Sequence, residues 1–474
     1  MKKEAGEKDQ EAAVEAVHEV LPLSQNFILG LQHVLVMYSG AVAVPLMLGK
    51  GAGLTQEQIG LLVNADLLTC GIATLIQTLG LGRSIGIRMP LMMGVTIIAL
   101  KPMISIGSNP GMQYIYGAIM ISSLIVFLCA GLFGKLRRFF PPVVIGSIIT
   151  TIGFSLIPLA MQWAGGEAGS ADWGSPRHLI TSFSVMLLIT LITKLCRGFV
   201  QTCAILIGMV LGSVASLALG HMDLSIMQQK PMLELPCPLF FGLPKFDLIS
   251  IISMVIVSAV SFIESTGVFI ATGNAVDVKV DDRAIARGLR AEACATFLGS
   301  IFNSFPYITF TQNLGLVLMT RIKSRYVVAT GGAILIAFGL LPKMGAVVAA
   351  IPAEVLGGAS LVIFGMVAVA GIRILGTANL ECAENQYVAA LSIGIGLGVS
   401  CVPAIFDIFP QSLRIIMANG VIISAFASLA LNTLLNYRNL GAEENAPEPE
   451  KPCEETLHPE GRGGDEASSA ITPG

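Results

Sequence analysis

Apolar runs of about twenty residues recur along most of the chain, divided by short polar or Gly/Pro-marked breaks. Such a run, coiled as helix, spans the ~30 Å hydrocarbon core of a bilayer. The pattern predicts fourteen membrane segments in two sets of seven. The first set begins near Asn26, Ile59, Met89, Met112, Pro142, Leu179 and Val200. The second begins near Leu248, Leu289, Pro306, Tyr326, Ala346, Tyr387 and Arg414. Segments 3, 9 and 10 are short or interrupted. The expected layout is an N-terminal tail (1–25), a first seven-segment repeat (26–220), an extracytoplasmic loop (221–247), a second repeat (248–437) and a tail (438–474).

Composition supports a membrane protein. Apolar residues make up 54% and charged residues 12%, against roughly 25% charged in soluble domains. Mean hydropathy is +0.77. The fold class expected is an all-α polytopic membrane protein. With the N-terminus placed in the cytoplasm, 21 of the 28 Lys and Arg fall on the cytoplasmic side. That is the positive-inside bias, and the even segment count returns the C-terminus to the same side. The first twenty residues are charged and lack the apolar stretch of a cleavable signal. The last, "GAEENAPEPEKPCEET" onward, reads as a disordered, solvated tail. Nine scattered cysteines show no CxxC and no metal spacing. No metal constellation, nucleophile–base pair or nucleotide loop points to an enzyme, and nothing points to nucleic acid.

Seven segments per half is odd, so two halves of one fold lie inverted relative to each other. Solute sites in inverted-repeat transporters form where Gly/Pro-interrupted helices meet at corresponding positions. Segment 3 carries "RMPLMMGVTIIALKP" and segment 10 carries "SFPYITFTQNLGLVL"; each is third in its half. Thr96 stands six residues after Pro90, and Gln312 six after Pro306. Proline removes a donor and disfavours helix before it, and "YITF" suits extended backbone. A short strand leading into a half-helix is expected in each. The two strands would satisfy each other's backbone, which lipid does not. The alternative is a proline kink in an ordinary helix.

A carboxylate, Glu264, interrupts "VSAVSFIESTGVFIATG" at the head of the second half, opposite Gln32 and His33 in segment 1. Intramembrane ionisable residues mark functional sites by default. Gln312 and Asn313 form an amide pair at the expected strand–helix junction and offer both donors and acceptors. Glu, Gln and broken-helix backbone suit a nucleobase or similar heterocycle better than a cation cage. Phe262 and Phe310 read as ring-stacking or core residues, and His33 as solute-contacting or helix-packing. Glu292 reads as a proton-coupling carboxylate or as an interfacial acid paired with Arg287 or Arg290. Asp66 and Glu354 read as structural acids capping broken helices, and Lys101 as a snorkelling cation. Gly267 and Ser265 are expected to let helices pack tightly beside Glu264.

The stretches "LQHVLVMYSGAVAVPLMLG", "FIESTG", "NSFPYITFTQNLGLVLMTRIKSR" and "IPAEVLGGASLVIFGMVAVAGIRIL" resemble the nucleobase–ascorbate transporters, also called the nucleobase:cation symporter-2 family. "QNLGLVLMTR" is that family's signature. The resemblance spans about Asn26 to Tyr437 and is nearest to bacterial uric acid/xanthine permeases. It implies a core domain of segments 1–4 and 8–11, and a gate domain of segments 5–7 and 12–14 that forms a homodimer. It implies proton-coupled, elevator-type purine import across the bacterial inner membrane, with no cofactor beyond the coupling proton. Substrate-binding roles fall on Glu264, Gln312, Phe262, Thr96 and Tyr307; His33 and Asn313 shape the site. Glu264 and Glu292 are the proton-coupling candidates, and many relatives carry Asp at the latter position. Uracil or guanine permeation is the alternative within the family. An anion exchanger of the same architecture is less favoured, because Glu264 opposes it.

Overall fold

The computed structural model describes residues 10, 12–132, 140–167, 169–409, 414 and 417–436. The C-terminal tail expected over 438–474 therefore lies outside the described residues. We number the helices α1 (Leu23–Gly51), α2 (Gln56–Leu79), α3 (Leu100–Ser108), α4 (Met112–Cys129), α5 (Pro142–Ala164), α6 (Pro176–Leu195) and α7 (Ala204–Ala218). They continue as α8 (Leu248–Ala275), α9 (Asp282–Ile301), α10 (Thr311–Thr320), α11 (Arg325–Gly339), α12 (Ala353–Leu375), α13 (Ala383–Cys401) and α14 (Gly420–Leu435). Two three-residue strands, β1 (Met93–Val95) and β2 (Tyr307–Thr309), complete the elements that matter here.

Among the described residues, seven helices are long and apolar enough to cross a membrane: α1, α2, α4, α5, α6, α8 and α12. Counting α11 with the short helix Pro342–Ala349, bent 79° from it, gives eight. The twelfth segment, expected from near Ala346, starts instead at Ala353. Pro342 opens the bent helix at its first turn, and Pro352 immediately precedes α12; proline there starts a helix and ends what precedes it. Residues 12–18, expected as plain tail, form a helix whose Val17 is buried against Ile87, Met89 and Phe269. The loop after α7 is strapped down by backbone bonds from Leu239 N–H to Ile301 O and from Glu234 N–H to Leu340 O.

Small residues permit close helix approach, the usual device where lipid offers no hydrophobic drive between helices. α5 and α12 meet at Gly153 and Gly371, where any Cβ would collide with the backbone of Ala368 and Thr150. The cysteines among the described residues are all free thiols.

The strands form the predicted pair. They run antiparallel with Met93 opposite Thr309, Gly94 opposite Ile308 and Val95 opposite Tyr307. The ladder extends one bond at each end: Thr96 N–H donates to Pro306 O at 3.0 Å, and Phe310 N–H to Met92 O at 2.8 Å. Helix side chains take the remaining first donors. Met93 N–H donates to Thr74 Oγ1 of α2 at 3.1 Å, and Tyr307 N–H to Thr296 Oγ1 of α9 at 3.0 Å. These non-helical residues are buried, and these bonds meet their backbone needs inside the protein, the condition for breaking a helix at membrane depth.

Candidate functional site

α8 runs past the far ends of both strands. Ser261 Oγ donates to Thr96 Oγ1 at 3.4 Å, at the exit of β1. Ser265 Oγ lies 3.4 Å from the N–H of Thr309, at the exit of β2. One helical turn separates the two serines, and Glu264 stands between them in the chain. The carboxylate is thereby carried to the strand crossing, where it remains half-buried. Gln312, the second residue of α10, is exposed. The first turn of α10 has no side-chain cap; Asn313 N–H donates to Phe310 O at 3.2 Å, which leaves the N–H groups of Thr311 and Gln312 for a ligand.

Asn313 is buried and ties α10 to α1. Its Nδ2 donates to His33 Nδ1 and to His33 O, both at 3.0 Å. A carbonyl oxygen only accepts, so the amide nitrogen faces the histidine and Nδ1 accepts as well. The ring's Nε2 then carries the proton of the neutral imidazole. Asn313→Ala leaves the buried Nδ1 without its donor, at a cost of about 1–3 kcal/mol. Thermal unfolding of the purified variant checks this as a lowered Tm; an unchanged Tm contradicts it.

Glu292 is fully buried. Its Oε1 accepts from Thr309 Oγ1 at 2.7 Å and from Thr309 N–H at 3.0 Å. The interfacial pairing with Arg287 or Arg290 is not what forms: Glu292 lies more than one turn inside α9, facing β2. Ser265, next to Glu264 in α8, approaches the same Thr309 N–H, so the two acids border one strand end. The strand crossing thus gathers Glu264, Glu292, Thr96, Gln312, Asn313 and His33.

Two expected lining residues are placed elsewhere. Phe262 precedes Glu264 by two residues, about 200° around the helix. It packs with Met89, Val126, Phe269 and Ala293 in a hydrophobic cluster. Tyr307 is buried, and its hydroxyl is taken by Asp66, Ser304 and Thr69. Phe310 is core-packed too, its ring wedged between Gly40 of α1 and Gly94 of β1. Gly267 does not serve close packing: no described atom stands within 4 Å of where its Cβ would be, and the same holds for Gly315. These glycines lie about one turn beyond Glu264 and Gln312, and each borders open space. Ser265, fully buried, does make the close approach.

The acids read as structural hold loops and breaks. Glu354 Oε1 lies 3.4 Å from His178 Nδ1, and His178 Nε2 lies 2.9 Å from Asp172 Oδ2. That hydrogen bond holds the exposed Asp172 carboxyl below its ordinary range. Lys101 is half-buried in the first turn of α3.

Sequence reasoning missed Thr74, Thr296 and Thr309, which hold the strands, and Ser261, which links α8 to Thr96. Threonine and serine are ordinary in membrane helices, where they bond their own preceding turn.

Helices packed around two antiparallel half-strands, with acids and amides gathered at their exits, define a membrane transporter of the broken-helix kind. Solved structures share the fold. The transmembrane domain of the cyanobacterial bicarbonate transporter BicA superposes with a TM-score of 0.54 at 13% identity, covering 86% of this chain and 96% of that one. The murine anion transporter Slc26a9 in its inward-facing state gives 0.57 at 13% identity, covering 88% and 69%. The family model Xan_ur_permease, described as a permease family, matches residues 24–405. The chain belongs to that family, the nucleobase–ascorbate transporters, and is a multi-pass membrane permease rather than an enzyme. Among its relatives, the nucleobase transporter PlUacP of Paenibacillus larvae is 44% identical over 89% of this chain and 97% of its own length. The uric acid permease PucJ of Bacillus subtilis is 43% identical over 87% and 93%. The uric acid transporter UacT of Escherichia coli is 43% identical over 90% and 89%.

Proposed function

We propose that the protein imports uric acid, xanthine or both, driven by protons, across the bacterial inner membrane. What supports this reading is the packing of α8 against α10, which brings the helix that carries Glu264 beside the helix whose first turn carries Gln312. A purine with ring carbonyls and N–H groups presents acceptors to backbone and amide donors, and donors to the carboxylate. The relatives' uric acid and xanthine specificities support it. Thr96, small and hydroxylated at the strand exit, favours uric acid.

In this reading the chain has fourteen segments in two inverted repeats, with both termini cytoplasmic. Segments 1–4 and 8–11 form a core that carries the solute past a gate of segments 5–7 and 12–14, and the gate forms a homodimer. Glu264 and Gln312 bind the solute. Thr96 sets the room available to it, and His33 and Asn313 shape the pocket. Glu264 and Glu292 are the acids placed to take the coupled proton. Phe262 and Tyr307 drop out of the contact set for the packing reasons above. The test is uptake of labelled uric acid and xanthine in cells lacking their own permeases. Saturable uptake, inhibited by a protonophore and competed better by these purines than by uracil or guanine, is expected. Uptake no greater than vector control ends the proposal.

A further inference from the structure

Asp66 lies in the middle of α2, fully buried, and has no part in the site just described. Its carboxylate is nevertheless well engaged. Oδ1 accepts from Ser304 Oγ at 2.6 Å and from the Tyr307 hydroxyl at 3.1 Å. Those two hydroxyls lie 2.6 Å apart. Cys70 Sγ approaches Oδ2 at 3.7 Å, and Thr69 of the same helix bonds the Tyr307 hydroxyl.

Side chains alternate along a strand, so Tyr307 and Thr309 leave β2 on one face and Ile308 on the other. A buried carboxylate takes each of the two. Asp66 of α2 takes Tyr307, and Glu292 of α9 takes Thr309. The same two helices supply Thr74 and Thr296 to the first N–H of β1 and of β2. A three-residue strand has few ladder bonds of its own to fix its position. Here both ends are pegged by charge-capable acceptors, which form the stronger class of hydrogen bond.

We propose that Asp66 is a positioning residue for the solute site: together with Glu292 it pegs β2, and β2 sets where Thr96 and Gln312 stand. Pro306 O takes the Thr96 N–H, and Gln312 follows Thr309 by three residues, so a shift of β2 moves both. The Tyr307 hydroxyl serves through Asp66 and does not meet the solute. The effect on solute affinity rests on the function proposed above; the effect on the strand does not.

Full-length protein in nanodiscs, carrying Asp66→Ala, Asp66→Asn, Tyr307→Phe or the double change Asp66→Ala/Tyr307→Phe, gives the test. Amide hydrogen exchange over 92–96 and 306–312 is expected to quicken at least tenfold in Asp66→Ala and Tyr307→Phe, with α5 and α12 unchanged. In uptake assays the KM for the purine is expected to rise at least fivefold, with Vmax within twofold. Asp66→Asn, which keeps an acceptor, restores most of the affinity. The double variant is no worse than the poorer single, because both changes break one link. Unaltered exchange over those residues overturns the proposal, as does an unaltered KM or a multiplicative double variant. Where Asp66→Ala is not recovered folded, Tyr307→Phe, which removes one oxygen, decides alone. A wild type without purine uptake would end the functional reading, while exchange still decides whether Asp66 holds the strand.

Discussion

Glu264→Gln is expected to abolish purine uptake while leaving the protein in the membrane at normal level. The change removes a charge and one acceptor oxygen and puts an NH2 group toward the solute's N–H edge. Hydrogen bonds to charged groups contribute about 1.5–3 kcal/mol each, and an unmatched donor facing a donor adds to the loss. More than a hundredfold fall in Vmax/KM is therefore expected. Folding should be spared, because Glu264 is half-buried and the α8 contacts to the strands run through Ser261 and Ser265. Labelled uptake alongside quantitative membrane blotting checks both halves. Normal kinetics in the variant would remove Glu264 from the site. Loss of the protein from the membrane would make it a folding residue.

Gly94→Val is expected to cripple transport through packing. A Cβ at Gly94 would stand 2.5 Å from Cδ2 of Phe310, a ring that also lies against Gly40. Two close approaches hold the ring, so the added side chain is expected to displace either β1 or the start of α10. Overpacking of this kind costs about 1–3 kcal/mol, and the displaced parts carry Thr96 and Gln312. A lowered Tm and at least a tenfold loss of uptake are expected. Phe310→Leu in the Gly94→Val background should restore much of both, since a smaller, flexible side chain makes room. A variant with wild-type Tm and wild-type uptake would show that the ring is not confined.

Gly94 also shows where sequence reading stops. The proline breaks at Pro90 and Pro306 were visible because proline acts on its own backbone neighbours, whatever surrounds it. The strand pair followed, since two exposed backbone edges inside a membrane need each other. The register did not follow. Met93 faces Thr309 because α2 and α9 offer Thr74, Thr296, Asp66 and Glu292 at fixed heights, and these lie far apart in the chain. Phe262 reads well as a ring-stacking residue beside Glu264 until the helix is built. It then stands about 200° around the helix, in a cluster with Phe269 of its own helix and with Met89, Val126 and Ala293 from three other stretches of chain. Glu292 next to Arg290 suggests an ion pair, but in a helix such neighbours do not face each other.

What the sequence by itself determined about this protein is what short-range physics controls. Apolar runs make membrane helices, prolines break two of them, and a carboxylate in an apolar run marks a polar site. The tertiary structure alone decided which buried acid meets which hydroxyl, that Tyr307 serves Asp66, and that Gly267 borders open space. Those outcomes depend on distances between residues up to 241 positions apart in the chain, and local sequence carries no information about such distances until the helices are packed.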